Sequence, residues 1–118
     1  MVKKRHTPKY IPERGDIVWL SFSPTKGHEQ SGGRPGLILT KKEFNEKVGL
    51  AIIAPISSTI HNYETEVLVK TAKTEGVVLV YQVKTVDWIS RRAVKFDKVP
   101  TGVLEKVQNV LVSLILSQ

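Results

Sequence analysis

Val48-Gly49-Leu50-Ala51-Ile52-Ile53-Ala54-Pro55-Ile56 is a nearly continuous apolar run with a proline close to its end. Such a run, without polar alternation, reads as a strand buried on both faces at the centre of a sheet. Ser57-Ser58-Thr59 follows at once. Hydroxyls at the end of a buried strand mark a place where a loop meets a site. They serve equally as turn chemistry, because Ser and Thr side chains bond to nearby backbone.

The neighbours of this run are shorter. Downstream, Glu66 to Val69 alternates weakly, as a strand with one face in solvent does. Gly76 opens a β-branched segment, Val77-Val78-Leu79-Val80-Tyr81-Gln82-Val83, that continues to Trp88-Ile89. A bend near Gln82 to Thr85 is expected to split it into two paired strands. Arg91, Arg92, Lys95 and Lys98 then form a basic segment relieved by Asp97. Upstream, Gly15-Asp16 opens Ile17-Val18-Trp19-Leu20-Ser21-Phe22, and Pro24 closes it. Pro35 to Thr40 is the next strand. Lys41 to Lys47 is polar and reads as a short helical turn, with Phe44 its candidate for burial. From Thr101 the period changes: Val103, Leu104, Val107, Val110, Leu111, Leu114 and Ile115 recur at helical spacing. Thr101 is the expected N-cap, and Glu105 falls in the first turn. Val112 and Leu116 widen the apolar stripe beyond what one small sheet covers, so this helix either packs deep or meets another subunit. The sum is a mainly β chain: five to seven short strands in a small, bent antiparallel sheet or half-open barrel, with a C-terminal helix. Residues 1–9 read as a flexible basic arm and 10–118 as one domain.

Composition limits the function classes. A chain of 118 residues holds one domain with a modest core. Lys and Arg number 18 against 11 Asp and Glu, a net charge of +7. That excess favours a polyanionic or acidic partner. There is no cysteine, hence no disulfide framework and no thiolate chemistry, which fits a cytoplasmic protein. The three histidines show no metal-ligand spacing, and no cofactor motif occurs, so neither metal nor cofactor is expected. Lys3, Lys4 and Arg5 have no apolar run behind them, so the N-terminus does not read as a signal peptide. No stretch reaches the length of a membrane span.

Between the first two strands lies Gly27-His28-Glu29-Gln30-Ser31-Gly32-Gly33-Arg34-Pro35. Its glycines let backbone lie close to a ligand, and Pro35 holds Arg34 extended at the lip of a strand. A guanidinium there suits bidentate recognition of phosphate. A surface hairpin with solvated charges explains the same residues equally well.

Several short motifs occur in order: Arg14-Gly15-Asp16-Ile17-Val18; Ser23-Pro24-Thr25-Lys26-Gly27-His28-Glu29-Gln30; Gly33-Arg34-Pro35; Ala54-Pro55-Ile56-Ser57; Gly76-Val77-Val78; Gln82-Val83-Lys84; and Asp87-Trp88. Together they resemble the MazF/PemK family of toxin endoribonucleases of type II toxin–antitoxin systems, from about Tyr10 to the C-terminus. The resemblance implies a small SH3-like antiparallel barrel of the CcdB/MazF/PemK type with a C-terminal helix, acting as a homodimer. It implies sequence-specific cleavage of single-stranded RNA, messenger RNA foremost, with inhibition of translation and growth. It also implies a cognate acidic antitoxin of the MazE kind. The implied reaction is attack of a ribose 2′-OH on the adjacent phosphate, giving 2′,3′-cyclic phosphate and 5′-OH ends without metal.

On that resemblance Arg34 is the catalytic arginine that stabilises charge on the phosphate. Ser57 stands where MazF-type members carry a catalytic threonine, and Ser58 lies beside it. Some PemK-type members place an Arg and an Asp before the Gln of the later strand. Here those positions hold Leu79 and Tyr81, so that carboxylate base is absent. Glu29 and His28 are the remaining acid–base candidates in the loop. Thr25, Lys26, Gln30, Ser58, Gln82 and Lys84 are the expected RNA contacts, Lys to phosphates and Gln to base edges. Trp19 and Trp88 read as core residues within apolar strands. Two other activities fit the charge and the fold type: a non-catalytic RNA-binding module and a CcdB-like DNA gyrase poison.

Overall fold

The computed structural model describes residues 9–21 and 33–116. The arm before Lys9 and the loop from Phe22 to Gly32, with Thr25, Lys26, His28, Glu29 and Gln30, lie outside the described residues. The elements run β1 (Asp16–Ser21), β2 (Gly33–Ile38), α1 (Lys42–Val48), β3 (Ala51–Ser57), β4 (Glu66–Lys70), β5 (Glu75–Leu79), β6 (Lys84–Val86), β7 (Val94–Lys98) and α2 (Thr101–Leu116). All strand pairs are antiparallel. The order across the curled sheet is β4-β5-β3-β2-β1-β7, with β6 also paired to β3. The apolar run Val48 to Ile56 supplies most of β3, and β3 is the central strand. It is shorter at its start than the apolar run, because Val48 ends α1 and the Gly49 N–H closes that helix on the Asn45 carbonyl.

Alternation along the strands builds two cores. On one side Ile17, Leu37, Ala54, Ile56 and Val78 pack with Val107 of α2. On the other, Val18, Leu20, Ile38, Ile53 and Val86 pack with Trp88.

Two prolines shape the ladder around β3. Leu39 N–H donates to the Ile52 carbonyl at 2.9 Å, and below it Leu37 faces Ala54. Hydrogen-bonded pairs alternate along such a ladder, so the next would be Pro35 with Ile56. Pro35 has no N–H to give, and the β2–β3 pairing stops at Gly36↔Pro55. Both strands continue, β2 back to Gly33 and β3 on to Ser57, and their ends part. The missing N–H of Pro55 falls on the other edge of β3. There the partner changes from β6, opposite Ala51 to Ile53, to β5, opposite Ile56 and Ser57. Its absence breaks no ladder bond.

The structure departs from several expectations. The segment after Gly76 gives β5, a single 3-10 turn at Val80–Gln82, and β6. These two strands pair end to end along one edge of β3 and not with each other, because the intervening turn is too short to reverse the chain. Phe44 is exposed, and its neighbour Asn45 is buried instead. Asn45 Nδ2 donates to the carbonyls of Pro12 and Thr40, while its Oδ1 accepts from the Thr40 hydroxyl. The helix α2 includes Thr101, and the Pro100 carbonyl accepts its first bonds, from Val103 and Leu104, so Thr101 is not the N-cap and Glu105 lies beyond the first turn. The basic segment is partly structural: Lys95 and Lys98 each lie 3.5 Å from a carboxylate oxygen of buried Asp16. That carboxylate also accepts from Tyr10 and the Glu13 N–H. Burial, then the bond to Asp16, raises the Tyr10 hydroxyl well above the usual phenol range.

Candidate active site

Where β2 and β3 part, a groove of about 520 Å³ opens. Directly opposed residues on antiparallel strands share a face. Leu20 faces Arg34, Gly36 faces Pro55, and Ile53 faces Lys84. Carrying the β2–β3 register two residues beyond Gly36↔Pro55 sets Arg34 opposite Ser57. Ser57 in turn faces Val77, and Glu75 lies two residues along the same face. One face of the groove therefore presents a guanidinium, a hydroxyl and a carboxylate in a row, from three neighbouring strands. Leu20, Ile53, Pro55 and Leu79 form its apolar floor, and Lys84, Gln82 and Ser58 complete its polar edge. The other face contributes Trp19, Pro35, Ile56 and Phe96, beside Lys73 and Thr74.

The Ser57 hydroxyl is oriented. Its oxygen accepts the Thr59 N–H at 3.0 Å, so turn chemistry is present and its own proton is left to donate. A donor beside Arg34 suits a phosphate oxygen. The wall carrying Glu75 is held by Asp97. Its carboxylate accepts from the hydroxyls of Thr71 and Thr74 and from the Lys98 N–H. Desolvation pushes the Asp97 carboxyl up, but these bonds and the nearby Lys73 charge outweigh it and hold the group below the usual carboxylate range. Lys73 Nζ donates to the Phe96 carbonyl at 3.2 Å, which holds this lysine at the groove.

The chain matches, over residues 13–115, the family described as PemK-like, MazF-like toxin of type II toxin–antitoxin systems. It belongs to that family. The toxin is 36% identical over 107 residues to the endoribonuclease toxin MazF of Escherichia coli K12, covering 88% of this chain and 96% of that one. It is 32% identical over 108 residues to the endoribonuclease PemK of Escherichia coli, covering 87% and 81%. Among solved structures it resembles MazF in the MazE–MazF complex (Form-II) from Deinococcus radiodurans, with TM-score 0.85 and 38% identity, over 93% of this chain and all of that one. The curled antiparallel half-barrel with a C-terminal helix is the fold of these toxins.

Of the toxin's expected site residues, Arg34, Ser57, Ser58, Gln82 and Lys84 come together in the groove. Thr25, Lys26, His28, Glu29 and Gln30 lie outside the described residues. Tyr81 does not line the groove; its ring meets Tyr63 edge-on, at 5.9 Å between centroids. Trp88 is core as expected, 3% exposed, with its Nε1–H donated to the Asn45 carbonyl. Trp19 is not core: it is 45% exposed and lines the groove. Glu75, Lys73, Thr74 and Phe96 were also not anticipated. The signal for Glu75 was a carboxylate immediately before the glycine that opens a strand. Trp19 had none, because Ile17 to Leu20 is apolar throughout and hides the alternation that turns its side chain outward.

Proposed function

We propose that this toxin is a metal-independent endoribonuclease that cuts single-stranded RNA by internal transphosphorylation, with Arg34 holding the reacting phosphate. The observation that carries it is that Arg34 and Ser57 line one groove beyond the last β2–β3 pair, Gly36↔Pro55. The 2′-oxygen attacks phosphorus and the bond to the 5′-oxygen breaks. The 2′-OH proton passes to a base, and the leaving oxygen gains a proton. Arg34 stabilises charge on the phosphorane, and Ser57 donates to one of its oxygens. Glu29 is the base and His28 its companion in proton transfer, both on the loop that runs into Arg34. Lys84 and Lys26 hold flanking phosphates. Gln82, Gln30, Thr25 and Ser58 contact bases or sugars, which gives the cleavage its sequence preference.

The toxin acts in the bacterial cytoplasm as a homodimer, restrained by an acidic antitoxin. The exposed Val112, Leu114, Ile115 and Leu116 at the end of α2 support the dimer. The net charge of +7 supports an acidic tail competing for the RNA groove. The deciding experiment is incubation with a long single-stranded RNA, followed by analysis of the ends. Products with 2′,3′-cyclic phosphate and 5′-OH that vanish with Arg34→Ala are expected. RNA retained by the protein but left intact would point to a non-catalytic binding module. Intact RNA with cleaved DNA–gyrase complexes would point to a gyrase poison.

A further inference from the structure

A large aromatic ring rarely lines a polar groove half-exposed without a reason. In β1 the residues on either side of Trp19 are buried, Val18 completely and Leu20 at 2%. Trp19 faces Pro35 on β2 and Val94 on β7. Its neighbour Leu20 faces Arg34, so the indole starts one residue from the position opposite the phosphate-binding guanidinium.

The indole is also held in place. A Cβ on Gly33 would fall 1.7 Å from Trp19 Nε1 and 2.4 Å from Cε2, so the ring occupies the space that any side chain at position 33 would need. Phe96 braces it from another direction, with ring centroids 5.8 Å apart and planes tilted by 58°. Arg34, Lys73 and Lys84 line the same groove as the indole. A fixed aromatic plate in a groove that also carries cations matches the repeating unit of a single-stranded polynucleotide: a flat base next to charged phosphates. An apolar peptide surface would use the plate but not the charges.

We propose that Trp19 is the stacking platform for the base of a nucleotide adjoining the phosphate held by Arg34, an inference that rests on the RNA-cleaving role given above. Stacking tolerates any base, so Trp19 supplies affinity and register, while neighbouring polar groups choose the sequence. Gly33 is part of the same device, since it makes the seat in which the ring lies.

The test separates binding from cleavage. The probe is a fluorescently labelled, mixed-sequence single-stranded RNA dodecamer in which every 2′-OH is methylated, so that no internal nucleophile remains. Trp19→Ala should weaken its binding about 5- to 100-fold, the range seen for base–aromatic stacking. Trp19→Phe should restore most of it. In a fixed-sequence dodecamer with a single abasic site walked along it, one position should abolish the Trp19→Ala penalty. Equal affinity of wild type and Trp19→Ala overturns the proposal. So does a penalty that no abasic position removes, or one that tracks a change in subunit association by light scattering. Cleavage of unmethylated RNA by the wild type is scored separately. Cleavage without a Trp19 effect on binding removes the platform and keeps the nuclease. Trp19-dependent binding without cleavage does the reverse.

Discussion

The carbonyl oxygen of Ser57 occupies the space where a side chain at Gly76 would begin: a Cβ there would lie 2.3 Å from it. No contact that short survives, and the obstacle is backbone, so β3 or β5 must move. Gly76→Ala should therefore act on the site as well as on the fold. Overpacking of this kind costs about 1–3 kcal/mol. A displacement of ~1 Å at Ser57 should lower kcat about 100-fold. Urea unfolding measures the first and single-turnover cleavage the second. A folded variant with unchanged kcat would remove Ser57 from the reaction.

Arg34 is exposed at the lip of the groove. Arg34→Ala should leave the thermal midpoint nearly unchanged while lowering kcat about 10²–10³-fold. Arg34→Lys should recover only part of this, because an ammonium supplies charge without the planar fork. Full activity in the lysine variant would show that charge alone suffices.

Fold class was legible because its signals are periodic. The unbroken run around Ala51–Ile56 marked the central strand, and the change of spacing at Thr101 marked the helix. What escaped was non-local. The pairing of β5 and β6 with β3 depends on which edge is open, and no local pattern reports that. Asn45 and Phe44 show the same limit: apolarity pointed to Phe44, but burial went to the side chain whose three hydrogen bonds the fold could satisfy. At the site, Arg34, Ser57 and Gln82 came from motifs carried by family resemblance. Trp19 and Glu75 became visible only once the register set faces against each other.

Asn45 is fully buried, with every polar atom of its side chain engaged. Asn45→Leu would strand the carbonyls of Pro12 and Thr40 and the Thr40 hydroxyl. A loss of about 2–4 kcal/mol is expected in urea unfolding. The hydroxyl of Thr40 also accepts the Ile52 N–H at 3.1 Å, so β3 should loosen with it. Hydrogen exchange at Ile52 reads that directly.

Asp97 links pH to the groove wall. Its carboxyl lies below the usual range when folded, so the unfolded chain takes up a proton first as pH falls. Its stabilising contribution is complete above the unfolded value, about 3.9, and is lost as pH drops through the lower folded value. Wild type should therefore lose urea resistance below about pH 4. Asp97→Asn should be less stable at neutral pH and should show a shallower loss in that acid window. Parallel curves for the two proteins would assign the acid sensitivity elsewhere.

Two carboxylates compete for the role of base, and the position of Glu75 counts against it. Glu75 shares a face with Arg34 but stands two strands away, about 10 Å at ~4.8 Å per strand spacing, and is displaced further along β5. The attacking 2′-oxygen is bonded through its ribose to the phosphate that Arg34 holds, and a base must come within about 3 Å of it. Glu29 lies on the segment leading directly into Arg34. Glu29→Gln should lower kcat about 10²–10⁴-fold and remove the acid limb of the pH–rate profile. Glu75→Gln should change kcat by less than about tenfold and act mainly on KM, as a substrate-contacting residue does. The opposite pattern, with the acid limb lost in Glu75→Gln, would place the proton acceptor on β5 and require the RNA to lie across β3 toward that wall.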